Sequence, residues 1–269
     1  MMAQPEVLRL AVFVGLFATL AICEHRWPRR PLTVSKTRRW TANLGIVALN
    51  TLTARLLLPL APFGLAVHIQ AEGWGLWALV GVSGALEMML SLLALDLLIY
   101  WQHRLFHRVP LLWRLHRMHH ADLDIDVSSG TRFHPIEILL SLLIKMAAVA
   151  VFGISPFAIL VFEIVLNATS MFNHANLRLP LALDRWLRLA VVTPDMHRVH
   201  HSTIPQETYS NFGFNLPWWD RLFASYIAQP RDGHLGMQIG LPWWRNQEEL
   251  GLWSLLLQPF RQLPRRQAQ

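Results

Sequence analysis

The side chains best able to do chemistry here are histidines, 13 in a chain of 269 residues, and ten of them fall between positions 103 and 201. They follow a definite pattern: His103-Arg-Leu-Phe-His107, His116-Arg-Met-His119-His120, His134 in Phe-His-Pro-Ile-Glu137, His174 in Asn-His-Ala-Asn, and His197-Arg-Val-His200-His201. On an α-helix, residues i, i+3 and i+4 share a face, so HxxxH aims two imidazoles at one point and each HxxHH aims three. At this histidine content one HxxHH is expected roughly 0.03 times by chance, so two copies are a strong signal. Ten imidazoles exceed what one ion accepts; shared by two ions they give five ligands each and an open position on each. A dinuclear site is the expectation, with His103, His107, His116, His119, His120, His134, His174, His197, His200 and His201 as its ligands. Neutral imidazole suits iron, copper, zinc or nickel, so the spacing leaves the metal open. The isolated His25, His68 and His234 are read as surface or capping residues.

A ligating histidine usually donates its second ring N–H to a carboxylate or a carbonyl. Three acids are placed to do this. Asp96, Tyr100, His103 and His107 share one helical face, Glu137 lies three residues after His134, and Asp195 lies two before His197. An interfacial charge reaching out to water is the other reading of Asp96.

The elements that must position these groups read as membrane helices. Hydrophobic residues make up 53% and charged residues only 15%, too little charge for a soluble surface. The net charge of +7 comes from arginines set between long apolar segments, which favours anionic lipid headgroups over nucleic acid. A lone cysteine, Cys23, excludes an intramolecular disulfide and any CxxC motif.

Apolar stretches are predicted to span at about 7–23, 44–67 and 76–100, with a helical hairpin over 139–172. The first is followed by Arg26, Arg29, Arg30, Lys36, Arg38 and Arg39, so it reads as a retained span with its end in the cytoplasm rather than a cleaved signal. The loop His68 to Gly75 carries no Lys or Arg and is expected outside. Arg104, Arg108, Arg114 and Arg117 then mark a return to the cytoplasm. A continuous helix over 139–172 would measure about 51 Å against a hydrocarbon core of about 30 Å, and Gly153-Ile-Ser-Pro156 offers a turn. The hairpin keeps all ten clustered histidines on one face. A helix from about Leu76 to Val109 is expected to lift His103 and His107 just above the membrane, and Pro110 lets the next helix turn back. Trp218, Trp219, Trp243, Trp244 and Trp253 suggest interfacial helices over 215–269. The expected fold is all-α: a single multi-pass integral membrane domain over 1–269, with a cytosolic helical cap carrying the dimetal site.

Asp96 to His107, HRMHH at 116–120, FHPIE at 133–137, NHAN at 173–176, TPDMHRVHHS at 193–202 and the segment 209–226 together resemble the fatty acid hydroxylase and sterol desaturase superfamily over about residues 85–228. The resemblance implies two Fe ions, O2 as oxidant, and removal of hydrogen from, or insertion of oxygen into, an unactivated C–H bond of a lipid that arrives from the bilayer. Zinc could replace iron in purified protein, since it binds imidazole more tightly than Fe(II). The sequence contains no His-Pro-Gly-Gly haem motif of a fused cytochrome b5 domain, so a separate electron carrier of ferredoxin or cytochrome b5 type is expected. The implied location is a cell membrane, the inner membrane of a bacterium or the endoplasmic reticulum of a eukaryote. Fatty-acyl, polar-lipid, sterol and carotenoid substrates remain open. A metal-binding or metal-transporting membrane protein is the reading from another class, but transporters place ligands near the bilayer midplane, whereas these lie beyond the apolar spans.

Overall fold

Prolines, glycines and capping serines divide the apolar sequence into helices. The computed structural model describes residues 5–263. Its helices begin with α1 (Pro5–Arg26), α2 (Lys36–Leu57), α3 (Ala61–Glu72), α4 (Leu76–Leu79) and α5 (Gly84–Arg108). They continue with α6 (Pro110–His120), α7 (Pro135–Phe152), α8 (Pro156–His174), α9 (Leu181–Leu187) and α10 (Pro194–His200). Five segments are long and apolar enough to cross a membrane: Pro5–Arg26, Lys36–Leu79, Gly84–Arg108, Pro135–Phe152 and Pro156–His174. Among the described residues no strand forms, and only two isolated bridges, Pro28 to Leu177 and Ser202 to Ile239, tie loops together. The protein is all-helical and multi-pass.

Several boundaries differ from the sequence expectation. The second span begins at Lys36 rather than 44, because the Ser35 hydroxyl caps it by accepting the Arg38 N–H. It breaks after Leu57, where Leu58 precedes Pro59 and adopts φ −131°, ψ 66°, as the residue before a proline is forced out of the helical region. The expected loop His68 to Gly75 is helical through Glu72; the chain turns only at Gly73, which has φ 65°. Leu76–Leu79 forms one separate turn, so the third span starts at Gly84. Its 25 residues measure about 37 Å, not the 51 Å of an unbroken helix from Leu76.

The stretch expected as a hairpin is divided into two helices, α7 and α8, both of which pack on α3. Gly153 ends α7 at φ 73°, and Ser155 caps α8 by accepting the Ala158 N–H. A Cβ on Gly75 would run into the backbone of Gly153, so the two glycines let the α3–α5 connection lie directly on the turn between α7 and α8. Helix α8 packs against α1, α3 and α5, around buried Leu95, Val149, Ile154, Ile159 and Phe162. Region 215–263 holds only short helical turns, the longest being Leu252–Leu257. Its tryptophans divide: Trp253 and Trp218 are exposed, whereas Trp243 and Trp244 pack against Ala42, Ile46 and Met118.

Candidate metal centre

Four helix ends deliver histidines to one place. His103 and His107 occupy the last two turns of α5, and Pro110 reverses the chain so that α6 runs alongside. Helix α6 carries His116, His119 and His120, α8 ends on His174, and α10 carries His197 and His200 with His201 at its C-cap. Thr193 starts α10 by accepting the Met196 N–H.

Nine histidines gather in two sets, each with its ligand nitrogens within 4.8 Å of one another: His103, His107, His116, His120 and His200, then His119, His174, His197 and His201. All nine are buried. The sets touch, as the stacked rings of His120 and His201 lie 4.4 Å apart. Each HxxHH is divided rather than focused on one point. His116 and His120 join the first set while His119 turns to the second; His197 and His201 join the second while His200 turns to the first. Residues at i and i+4 stay together because they stack along the axis, and the i+3 residue is rotated off them by enough to face a neighbouring centre.

His134 stands apart, so the arrangement is five and four rather than five and five. It is the N-cap of α7: its Nδ1 accepts the Ile136 N–H at 3.2 Å and its Nε2 donates to the Leu256 carbonyl at 3.2 Å. His25 and His68 are exposed, whereas His234 is buried against Gln229 and Asp195, outside both sets.

Hydrogen bonds fix the tautomers. The Nδ1–H groups of His103, His119, His174 and His200 donate to the carbonyls of Phe212 (2.7 Å), Arg132 (3.1 Å), Ser170 (2.7 Å) and Ser210 (2.6 Å). The Nδ1–H of His116 donates to Glu137 Oε1 at 2.7 Å. In each of these rings Nε2 is left with a lone pair directed into the cage. The Nε2 atoms of His119 and His174 lie only 3.0 Å apart, two lone pairs facing each other with no hydrogen between them. Either ring could supply that hydrogen only as an imidazolium, a charge that burial among eight other imidazoles opposes. A cation between them removes the conflict. Two nitrogens each about 2.1 Å from one metal, at a right angle, are about 3.0 Å apart. The residues present therefore fit metal ions.

Burial pushes His116 down to about 3, and holds His119, His120, His197, His200 and His201 well below the usual imidazole range, with neighbouring imidazoles adding to the effect for these five. The neutral form, which binds metal, is thus the form the cage favours.

Of the three acids, only Glu137 meets a clustered histidine, and that partner is His116 across two helices rather than His134. Asp96 does not reach His103; it accepts the Trp219 indole N–H at 2.8 Å and the Leu216 N–H at 3.3 Å. Asp195 does not reach His197. It pairs with Arg29 at 3.0 Å and with Arg198, and so pins α10 to the segment after α1.

Sequence reasoning also passed over a buried polar network. Arg39, fully buried on α2, donates to Asp122 (2.6 and 2.9 Å), to Asp126 (2.7 Å) and to the Asp124 carbonyl (2.7 Å). Burial alone would raise Asp122, but Arg39 and Arg132 outweigh it and hold the acid at about 2. This network shapes the loop that presents the Arg132 carbonyl to His119. The alternating acids in Ala121-Asp-Leu-Asp-Ile-Asp126 were its visible signal. Asp220 likewise accepts the N–H groups of Phe212 and Gly213, both at 2.8 Å, and sets the loop whose carbonyls hold His103 and His200.

Five apolar segments and two adjoining sets of buried, tautomer-locked imidazoles mark a multi-pass membrane protein whose histidine clusters could hold metal. The sequence model of the fatty acid hydroxylase family matches residues 88–225, a little over half of the chain, and the chain belongs to that family. It is 29% identical to the ornithine lipid hydroxylase OlsE of Rhizobium tropici over 65% of this chain and 51% of that one. It is 26% identical to an alkylglycerol monooxygenase of Xenopus tropicalis over 76% of this chain and 43% of that one. A cholesterol 25-hydroxylase of Rattus norvegicus is 27% identical over 55% and 49%, respectively. The chain spans about half the length of these relatives. No solved structure matches it.

Proposed function

We propose that the protein is a membrane-bound, O2-dependent lipid oxidoreductase, a hydroxylase in preference to a desaturase, working at two iron ions held by the five-histidine and four-histidine sets. The observation that carries this reading is the pair of facing lone pairs on His119 and His174 inside a cage of nine neutral imidazoles. The three relatives named above are called hydroxylases or monooxygenases of lipids, which favours oxygen insertion over hydrogen removal. The chemistry such ions supply when bound and reduced is activation of O2 for attack on a C–H bond.

The rest falls to this chain's own residues. Glu137 keeps the proton of His116 on Nδ1, and the carbonyls of Phe212, Arg132, Ser170 and Ser210 do the same for four more rings, so their Nε2 atoms stay committed to metal. A cavity of about 430 Å³ opens beside His103 and His116, and Ile99, Phe106, Phe133, Ile138, Leu142 and Phe214 contribute to its wall. Those apolar side chains exclude water and align a hydrocarbon chain. Because the cavity lies between the spans, substrate enters from the bilayer. The arginines that follow α1 and flank α6 favour a cytoplasmic face for the histidines, and their charge suits an acidic electron carrier docking there.

The test supplies iron-loaded protein in vesicles with O2, a reducing system and a lipid extract. A lipid gaining one oxygen is the expected result, and loss of two hydrogens would instead mark a desaturase. If no lipid changes and metal crosses the vesicle membrane, the transporter reading replaces this one.

A further inference from the structure

The cavity that opens beside the histidines has a second, charged end. Arg9, near the start of α1, meets Lys145 of α7 and Glu163 of α8 there, both near the middle of apolar spans, and Arg55 of α2 lines the same space. Glu163 Oε2 lies 2.5 Å from Arg9, and the Lys145 ammonium donates to Glu163 Oε1 at 3.2 Å. Lys145 and Glu163 are each only 7% exposed. Charges at this depth are costly unless they are paired or have work to do.

The charges in this cluster do not balance. One carboxylate faces two cations in direct contact, with Arg55 as a third on the cavity wall; the other acid lining the cavity, Glu137, is occupied by His116 at the opposite end. The Arg9 Nε–H is buried without a partner. A net positive charge held in an apolar pocket calls for an anion, and a guanidinium with free N–H groups is shaped to receive an oxyanion.

We propose that Arg9 and Lys145, whose two charges Glu163 only partly offsets, form an oxyanion subsite that holds the carboxylate or phosphate of the lipid substrate while its hydrocarbon chain runs up the cavity to His103 and His116. This rests on the lipid-oxidising reading above and names the substrate class for that site. The geometry also sets which carbon is presented. Lys145 lies eight residues along α7 from Glu137, about 12 Å, and Glu163 lies 11 residues before His174 on α8, about 16 Å. The carbon brought to the histidines is therefore remote from the anionic group, not adjacent to it.

Direct binding tests the subsite without turnover. Wild-type protein in vesicles is expected to bind radiolabelled hexadecanoate at least about tenfold more tightly than methyl hexadecanoate, a preference lost in Arg9→Gln and Lys145→Gln and kept in Arg9→Lys. Glu163→Gln separates a binding role from a structural one: with the competing anion removed, hexadecanoate should bind more tightly and the ester unchanged. Hexadecyl phosphate run in parallel distinguishes the source, tighter binding than hexadecanoate assigning a phosphate headgroup and weaker binding a carboxylate. A diazirine at the far end of the hexadecanoate chain should label peptides containing Phe133 or Phe214, and one beside the carboxylate should label α1 or α8 near Glu163. His200→Ala, which disturbs the metal centre, should leave the acid-over-ester preference intact, so failure of the oxidase reading is seen separately. Equal binding of acid and ester by wild-type protein, weakened acid binding in Glu163→Gln, or the reverse labelling pattern would overturn the proposal.

Discussion

Replacing His134 by alanine separates a nine-histidine centre from a ten-histidine one. Both nitrogens of His134 are occupied: Nδ1 uses its lone pair to accept the Ile136 N–H, and Nε2 therefore carries the proton given to the Leu256 carbonyl. No lone pair remains for a metal. Alanine removes an N-cap, at a cost of about 0.5–2 kcal/mol, and a hydrogen bond to the Leu256 carbonyl, at about 1 kcal/mol. The total is about 1.5–3 kcal/mol, enough to lower the melting midpoint by several degrees. The metal-to-protein ratio, measured by elemental mass spectrometry on detergent-purified protein, should not change. Asparagine, a good N-cap, should restore most of the lost stability. Loss of one ion from His134→Ala with an unchanged melting midpoint would refute this reasoning and return His134 to the ligand set.

Alanine at His119, His174, His197 or His201 should empty the four-histidine set first, so the metal ratio falls from two toward one; an unchanged ratio would count against the division. Glu137→Ala should weaken metal affinity or activity by about 10- to 100-fold, with Glu137→Gln milder because its amide oxygen still accepts the His116 proton. Equal effects of the two would show that the hydrogen bond is not what matters. Acid should destabilise the metal-free protein, since burial depresses His116, His119, His120, His197, His200 and His201 below 6.5. Their contribution is fully present above pH 6.5 and is lost as pH falls toward the folded-state values, because the unfolded chain takes up protons the cage refuses. The slope is about 1.4 kcal/mol per pH unit for each such histidine. A melting midpoint that stays flat between pH 7 and pH 5 would contradict it.

What the sequence made legible was whatever repeats along a single helix. The pairs His103 and His107, His116 and His120, and His197 and His201 are set by the i, i+4 relation, and each pair stays in one set. The break between α7 and α8 was legible for a similar reason, as an unbroken helix would exceed the membrane thickness and Gly153 and Pro156 say where it ends. Relations between elements were not legible. That His119 faces His174, or that Glu137 serves His116 instead of the nearer His134, depends on how α6, α7 and α8 pack. The boundaries of the second and third spans were missed because hydropathy does not register the local geometry at Pro59 or at the turn before Gly84.

The acids show where that limit falls. Asp96, Asp195 and the Asp122–Asp126 stretch lie close to the motifs in sequence, yet none touches a clustered histidine; they hold loops, and carbonyls of several such segments hold the rings. Asp220 shows the arrangement most directly. It accepts the Phe212 and Gly213 N–H groups at 2.8 Å each and the Ser225 hydroxyl at 2.7 Å, and the Phe212 carbonyl in turn accepts the His103 Nδ1–H at 2.7 Å. Asp220→Ala leaves two buried N–H groups without acceptors, so the loop must shift to find others. His103 loses its fixed tautomer when the carbonyl moves, and the His200 contact with the Ser210 carbonyl lies on the same loop. Both rings belong to the five-histidine set. The variant should therefore weaken one of the two metal sites by about 10- to 100-fold and leave the four-histidine site nearly untouched. Cobalt titration followed by its ligand-field bands resolves the two sites. Equal weakening of both, or of neither in a variant that melts lower, would mean that Asp220 supports the fold but does not position the metal ligands.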